Sequence, residues 1–169
     1  MTTATIATTA IPQHAEIAQR LRGADFHDCY QMEIAPTAQS ALELYLKVVA
    51  AIPGWVNAMM TLRNRIVQLV GLKNLGALGS TDGAKPANAY RVGDRVGIFS
   101  IVYLSEQEVI LGDSDKHLNV EVSVCKLVGK VAVSTVVHTH NALGRVYMLF
   151  VAPAHRRIVP ATLRNARFL

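Results

Sequence analysis

The sequence predicts an α+β domain in which a curved antiparallel sheet wraps around a long C-terminal helix. Three observations support this class: one strand-like segment precedes two helical segments, short β-branched segments follow them, and an amphipathic segment closes the chain. The 169 residues, 51% of them hydrophobic, fit one domain that buries roughly 70% of its unfolded surface. We therefore expect a single domain over residues 24–169, preceded by a poorly ordered lead-in over residues 1–23.

The first part of this domain predicts one strand and two short helices. Residues 25–34 mix aromatic and polar side chains, which is typical of a strand. The first helix takes Thr37 or Ser40 as its N-cap and ends at Pro53. The second helix carries an apolar stripe that should face the core, and it ends at Gly71. The stripe consists of Trp55, Met59, Leu62, Ile66 and Leu69.

The remaining residues predict a loop, an antiparallel meander and a closing helix. Residues 74–91 lack any period and are expected to be disordered or to form a lid over a pocket. Pro153 fits the first turn of the closing helix, and Pro160 should kink that helix. This β-αα-β(n)-α order is the one that a helix-grip fold requires, with a cavity between the sheet and the last helix. The predicted strands of the meander cover residues 96–104, 108–111, 118–127, 131–140 and 146–151.

The two longest strands predict their own register. A two-residue turn at Val128-Gly129 sorts the side chains of both strands into one apolar and one polar face. A slip of one residue would mix the two sets, so the pattern itself supports this pairing. The apolar face, which should pack against the closing helix, pairs Val120 with Val137 and Val122 with Thr135.

The polar face of the same strands gathers histidines and carboxylates. It places Asn119 opposite His138 and His117 opposite His140. A preceding hairpin turn at Ser114-Asp115 would add Glu108 opposite Glu121, and would set Val109 opposite Val120 on the apolar face.

Three interpretations of this polar face stay open. It is a solvated side of the sheet or a subunit contact, which leaves a homodimer open. Alternatively, His117, His138 and His140 supply three imidazoles to a tetrahedral metal ion, although no metal or cofactor is part of our prediction. Finally, the group performs acid/base catalysis, because histidine titrates near neutrality. The catalytic candidates are His138, His140, His117, Asp115 and, separately, His155 on the inner side of the closing helix.

Charge and cysteine usage exclude several classes of protein. The net charge of +5 comes from five arginines between Arg145 and Leu169, and the chain carries no nucleic-acid reader motif, so we predict no nucleic-acid partner. Cys29 and Cys125 lack a metal-finger spacing and are expected to be reduced thiols. No apolar run reaches ~18 residues, and the first ten residues lack a secretory pattern. We therefore expect a cytoplasmic protein without a membrane span.

Several short motifs, spread over residues 25–165, are similar to those of the domain of unknown function 2867 family. They include Asp25-Phe26-His27-Asp28, Leu62-Arg63-Asn64, the run from Glu108 to Leu118, Thr135-Val136-Val137-His138 and Leu143-Gly144-Arg145. The resemblance implies membership of the helix-grip superfamily of START, polyketide-cyclase and plant-allergen-like domains, which hold apolar ligands in a central cavity. Some relatives carry a nucleotide-binding domain in front of this one, but this chain has no GxGxxG motif, so NAD is not implied.

These inferences predict an uncharacterised binding module for a small apolar molecule. Its cavity should lie between the apolar sheet face and the closing helix, near the loop from Gly76 to Tyr90. An enzyme of the cyclase, isomerase or hydrolase type, using a His/Asp cluster with or without a metal, is the alternative. The candidate ligand-binding residues are Trp55, Met59, Arg63, Val120, Val122, Val137, Tyr147 and His155.

Overall fold

The computed structural model describes residues 5–69, 85–166 and 168 of the chain. They form one antiparallel sheet of seven strands in the order β1-β2-β7-β6-β5-β4-β3, so the predicted α+β class with a long C-terminal helix is confirmed. Two 3₁₀ helices, Glu16–Arg20 and Ala87–Ala89, lie in the connections. The strands are β1 Ile6–Thr8, β2 Phe26–Glu33, β3 Arg95–Val96, β4 Phe99–Leu104, β5 Glu108–Ser114, β6 Leu118–Leu127 and β7 Lys130–Thr139. The α-helices are α1 Ala41–Ala50, α2 Gly54–Leu69 and α3 Ala142–Asn165.

One side of the sheet packs against α1 and α3 and forms the main core. Val109, Val124 and Val133 contribute from the sheet, Leu42 from α1 and Leu163 from α3. The start of α1 is fixed by a capping box. The hydroxyl of Ser40 accepts from the Glu43 backbone N–H, and the Glu43 carboxylate accepts from the Ser40 N–H at 2.7 Å, which confirms the predicted N-cap.

The predicted register of β6 and β7 is confirmed. Val128 and Gly129 form the two-residue turn, with Gly129 at a φ of +67°, a backbone conformation that favours glycine. Val120 pairs with Val137 and Asn119 with His138. The helix-facing side of both strands is therefore the apolar side that alternation indicates.

The predicted register of β5 and β6 is wrong by four positions. Val109 pairs with Val124 instead of Val120, and Glu108 pairs with Cys125 instead of Glu121. The turn lies two residues further along the chain than predicted, at Lys116-His117, because the Asp115 N–H donates to the Leu118 carbonyl oxygen at 3.0 Å and Asp115 Oδ1 accepts from the backbone N–H groups of His117 and Leu118, at 2.7 and 3.0 Å. An even shift keeps each side chain on its predicted side, so the apolar face survives the error.

The predicted strand over residues 146–151 is also wrong, because this segment lies inside α3. The helix begins at Ala142, eleven residues before the predicted start at Pro153, and contains both Pro153 and Pro160. Asn141 is its N-cap and accepts from the Gly144 N–H at 3.0 Å. A short apolar run such as VYMLFV does not by itself distinguish a strand from a helix, and the Asn141 cap was the missed signal.

The apolar stripe of α2 does not face the core. Its members are between 40% and 86% exposed, whereas Val56 and Val67, three turns apart on another face, are buried. Apolar residues lie on two faces of this helix, so its periodicity alone could not select the buried one. The predicted stop at Gly71 and most of the predicted loop lie outside the described residues.

The N-terminal segment covers the second side of the sheet, where the sequence predicted a poorly ordered lead-in. β1 pairs with β2, and the residues after it pack Ile11 and Ile17 against Cys29, Ile110 and Val136. The side of the sheet that faces away from α3 is therefore covered by the N-terminal segment. The division of the chain at residue 23 stays a prediction.

Candidate functional site

A carboxylate and an imidazole meet between the sheet and α3. Asp28 lies on the helix-facing side of β2, because side chains alternate and Tyr30 and Met32 of the same strand enter the main core. It is paired across the strands with Thr135 of β7. α3 places His155 against both residues.

The imidazole contacts both partners through one nitrogen. His155 Nε2 lies 3.0 Å from the Thr135 hydroxyl oxygen and 3.3 Å from Asp28 Oδ1. The Asp28 side chain is only 9% exposed and that of His155 is 21% exposed. The ring of Phe26 meets the imidazole edge to face, with centroids 5.8 Å apart. The ring of His155 is thus held in position from two sides.

This geometry indicates which ring nitrogen carries the proton of a neutral imidazole. An ionised carboxylate only accepts hydrogen bonds, so Asp28 Oδ1 favours a proton on His155 Nε2. The lone pair is then on Nδ1, which has no hydrogen bond within the described residues. The pair resembles the arrangement in which a carboxylate orients a histidine that accepts protons.

The second oxygen of the carboxylate lacks a partner. Asp28 Oδ2 is buried, and no described residue donates a hydrogen bond to it. Leaving a buried acceptor unsatisfied costs about 1–3 kcal/mol, and more when the group is charged. An unsatisfied oxygen at this depth needs a donor that the described part of the chain does not supply.

The predicted ligand-binding residues fall into two groups. Val120, Val122 and Val137 share the helix-facing side of the sheet with Thr135, and His155 lies over that side. Val120 and Val122 are only partly buried, in contrast to Val109, Leu111 and Val124 nearby.

The second group belongs to α2 and the first half of α3. Arg63 donates from Nε to the Tyr147 hydroxyl at 2.9 Å and stacks over the same ring. Trp55 and Met59 are 46% and 40% exposed, so the structure does not bring them into the core.

The three histidines of the predicted polar cluster do not converge. His138 Nε2 lies 3.2 Å from the Arg22 carbonyl oxygen, and His140 is exposed. His117 is buried, with Nδ1 beside the Asn141 amide and Nε2 without a partner among the described residues. Asp115 serves the turn before β6. Within residues 5–69 and 85–166, no group of three His, Cys, Asp or Glu could hold a metal ion.

The carboxylates of the second side anchor the N-terminal segment. Glu108, 4% exposed, accepts from the backbone N–H groups of Glu16 and Ile17 and from the Ser123 hydroxyl at 2.6 Å. Arg20 forms an ion pair with Glu121 at 3.0 Å. These groups hold the cover on the sheet, so they are structural partners and not an exposed polar surface.

A wide cleft of ≈ 810 Å³ opens near the β6–β7 turn, away from His155. Its lining includes His14, Glu108 and Lys126 together with residues 34–37 and 127–129. Two of its charged groups already have structural roles, because Glu108 binds the N-terminal segment and Lys126 donates to the Gln39 carbonyl oxygen at 2.9 Å. The unsatisfied Asp28 makes the surroundings of Asp28 and His155 the better candidate site.

Comparison with known proteins identifies the family to which the chain belongs. A family model described as "Protein of unknown function (DUF2867)" matches residues 20–162. The chain belongs to the DUF2867 family. No curated protein and no solved structure matches it significantly. Among the described residues of this DUF2867 protein, no single helix is long and apolar enough to cross a membrane; α1 and α2 meet that criterion only as a pair bent by 82°.

Proposed function

We propose that this DUF2867 domain binds a small, largely apolar molecule between the helix-facing side of its sheet and α3. One observation carries the proposal: Asp28 Oδ2 is buried without a donor among the described residues, beside a partly open apolar surface. Buried polar atoms in proteins are rarely left unsatisfied, and functional sites are a common exception. A ligand hydroxyl or N–H would satisfy this oxygen while its apolar part covers Val120 and Val122.

The architecture supports the same proposal. A sheet that wraps a long C-terminal helix leaves room between the two layers wherever side chains do not fill it. The partial exposure of Val120 and Val122 supports such a place, because both residues lie on the core side and still keep part of their surface uncovered. Arg63 and Tyr147 connect α2 with α3, and in this proposal they would form part of the wall of the site.

Binding can be tested with the fluorescent apolar probe N-phenyl-1-naphthylamine. Its emission should rise with the purified protein, and Val120→Phe should weaken binding about tenfold because the larger side chain occupies the ligand space. Val128→Phe is the matched control, since Val128 is fully exposed in the β6–β7 turn. Absence of probe binding by the unmodified protein, or equal affinity of the Val120 variant and the control, would contradict the proposal.

An enzyme is the second candidate function. The observation that favours it is the contact between His155 and Asp28, because a histidine oriented by a carboxylate is a common proton carrier. The cytoplasmic location, the lack of a nucleic-acid partner and the homodimer stay predictions from the sequence.

A further inference from the structure

We infer that His155, oriented by Asp28, is a general base that abstracts a proton from the molecule bound beside α3. The inference rests on the proposed function, because it needs a ligand in that space. It goes beyond binding by assigning a reaction class and two roles. His155 would be the catalytic residue, and Asp28 would position it through Oδ1 while Oδ2 binds the hydroxyl of the substrate.

Orientation of the imidazole is the first step of the argument. The hydrogen bond to Asp28 Oδ1 keeps the proton on Nε2 and leaves Nδ1 as the accepting atom. Two further contacts restrict the ring: the Thr135 hydroxyl oxygen lies 3.0 Å from His155 Nε2, and the Phe26 ring packs edge to face against the imidazole. A base held in one orientation loses little entropy when the reaction begins.

The surroundings of the ring are the second step. His155 is 21% exposed, so its free nitrogen is reachable, whereas the paired carboxylate is removed from solvent. A carboxylate in such a place stabilises the imidazolium that forms when Nδ1 takes a proton, because the local dielectric constant is low. The unsatisfied Asp28 Oδ2 would accept a hydrogen bond from the hydroxyl of the bound molecule.

Proton balance and the unsatisfied Asp28 oxygen together define the substrate class. A class that requires no co-reactant is an apolar carbonyl compound that carries a hydroxyl group and has a C–H bond between its carbonyl group and a carbon–carbon double bond. His155 Nδ1 takes the proton, the C–H electron pair moves into conjugation and gives a dienolate with the charge on the carbonyl oxygen, and the same proton returns at the far carbon of the former double bond as the carbonyl group re-forms. The result is an isomerisation in which nothing is oxidised or reduced.

The base can be tested with 5-nitrobenzisoxazole, a small apolar probe that needs only proton abstraction. The proton at carbon 3 passes to the base, the N–O bond breaks, and the coloured cyanophenolate is released. We expect catalysis by the unmodified protein, and at least a tenfold loss of kcat/KM in His155→Gln. His27→Gln is the control, because His27 lies on β2 next to Asp28 but on the other side of the sheet and is exposed.

The Asp28→Asn variant tests whether Asp28 orients the imidazole of His155 or only supports the fold. With 5-nitrobenzisoxazole, which has no hydroxyl group for Asp28 Oδ2 to bind, it should lower kcat with KM unchanged within about twofold, and the ¹⁵N shifts of His155 should show a larger share of the tautomer protonated at Nδ1. If the naphthylamine probe binds but the His155 variant matches the control, or the Asp28 variant leaves the tautomer unchanged, the inference fails and the binding proposal stands. If the naphthylamine probe does not bind, both fail together.

Discussion

The two sides of the sheet use their carboxylates in different ways. On the side under the N-terminal segment, Glu108 accepts three hydrogen bonds and Glu121 is paired with Arg20. On the helix-facing side, Asp28 is about as deeply buried, yet one of its oxygens has no partner among the described residues. A carboxylate that only supports the fold is expected to be fully satisfied. The difference therefore indicates that Glu108 is a structural group, whereas Asp28 is a candidate for ligand binding.

The largest expected effect is a loss of stability when the packing of the start of α3 against the sheet is disturbed. Gly144 lies so close to the turn before β6 that an added Cβ would be 2.2 Å from the His117 carbonyl oxygen. Gly144→Ala should therefore move the helix start and destabilise the protein by about 3 kcal/mol. Urea unfolding measures this change.

Gly54→Ala is the matched control for that substitution. Gly54 is the first residue of α2, and a Cβ there would meet nothing within 4 Å. Its stability should change by less than about 1 kcal/mol, since alanine favours helix. Equal losses in the two variants would show that close packing of α3 at His117 is not what Gly144 provides.

A smaller effect compares the two carboxylates directly. Glu108→Gln should cost about 2 kcal/mol, because an amide group would face donors that now meet a carboxylate. Asp28→Asn should change the free energy of unfolding by less than about 1 kcal/mol, because its new N–H₂ group would replace an oxygen that accepts nothing from the described residues. Chemical denaturation of both variants measures the two changes in the free energy of unfolding. A larger loss for Asp28→Asn than for Glu108→Gln would contradict the prediction.

The smallest effect is a pH dependence on the covered side. Burial raises the pKa of the Cys125 thiol to about 11. Since this folded-state pKa exceeds the ordinary value of 9.0, the stabilisation is complete below pH 9.0 and declines as pH rises towards about 11. The loss should reach about 1 kcal/mol near pH 10. Urea midpoints between pH 7 and 10 measure it, with Cys125→Ala as control; an equal decline in that variant would assign the effect to other groups.

The features predicted correctly depend on nearby residues. The β6–β7 register follows from strict alternation on both strands and a two-residue turn that contains glycine, and the Ser40 cap follows from a four-residue motif. The β5–β6 register failed because the Asp115 side chain stabilises a turn two residues further along the chain, and a displacement by two residues leaves the alternation unchanged.

The features that were missed depend on contacts between distant parts of the chain. Asp28 was not a candidate, because its role requires the β2–β7 pairing and the placement of α3, and His155 is 127 residues away. Apolar residues lie on two faces of α2, and only its tertiary contacts determine which of the two faces is buried. The anchoring role of Glu108 was missed because the sequence does not show which carboxylate the backbone of the lead-in reaches, 91 residues away along the chain.

The cover on the second side of the sheet bears on how this domain should be produced. The family match begins at residue 20, after Ile11, Glu16 and Ile17. A fragment trimmed to that boundary would expose Ile110 and Val136 to water and leave Glu108 without its two backbone donors. Such a fragment should aggregate more readily than the full chain, so expression plasmids for relatives should retain the residues that precede the match.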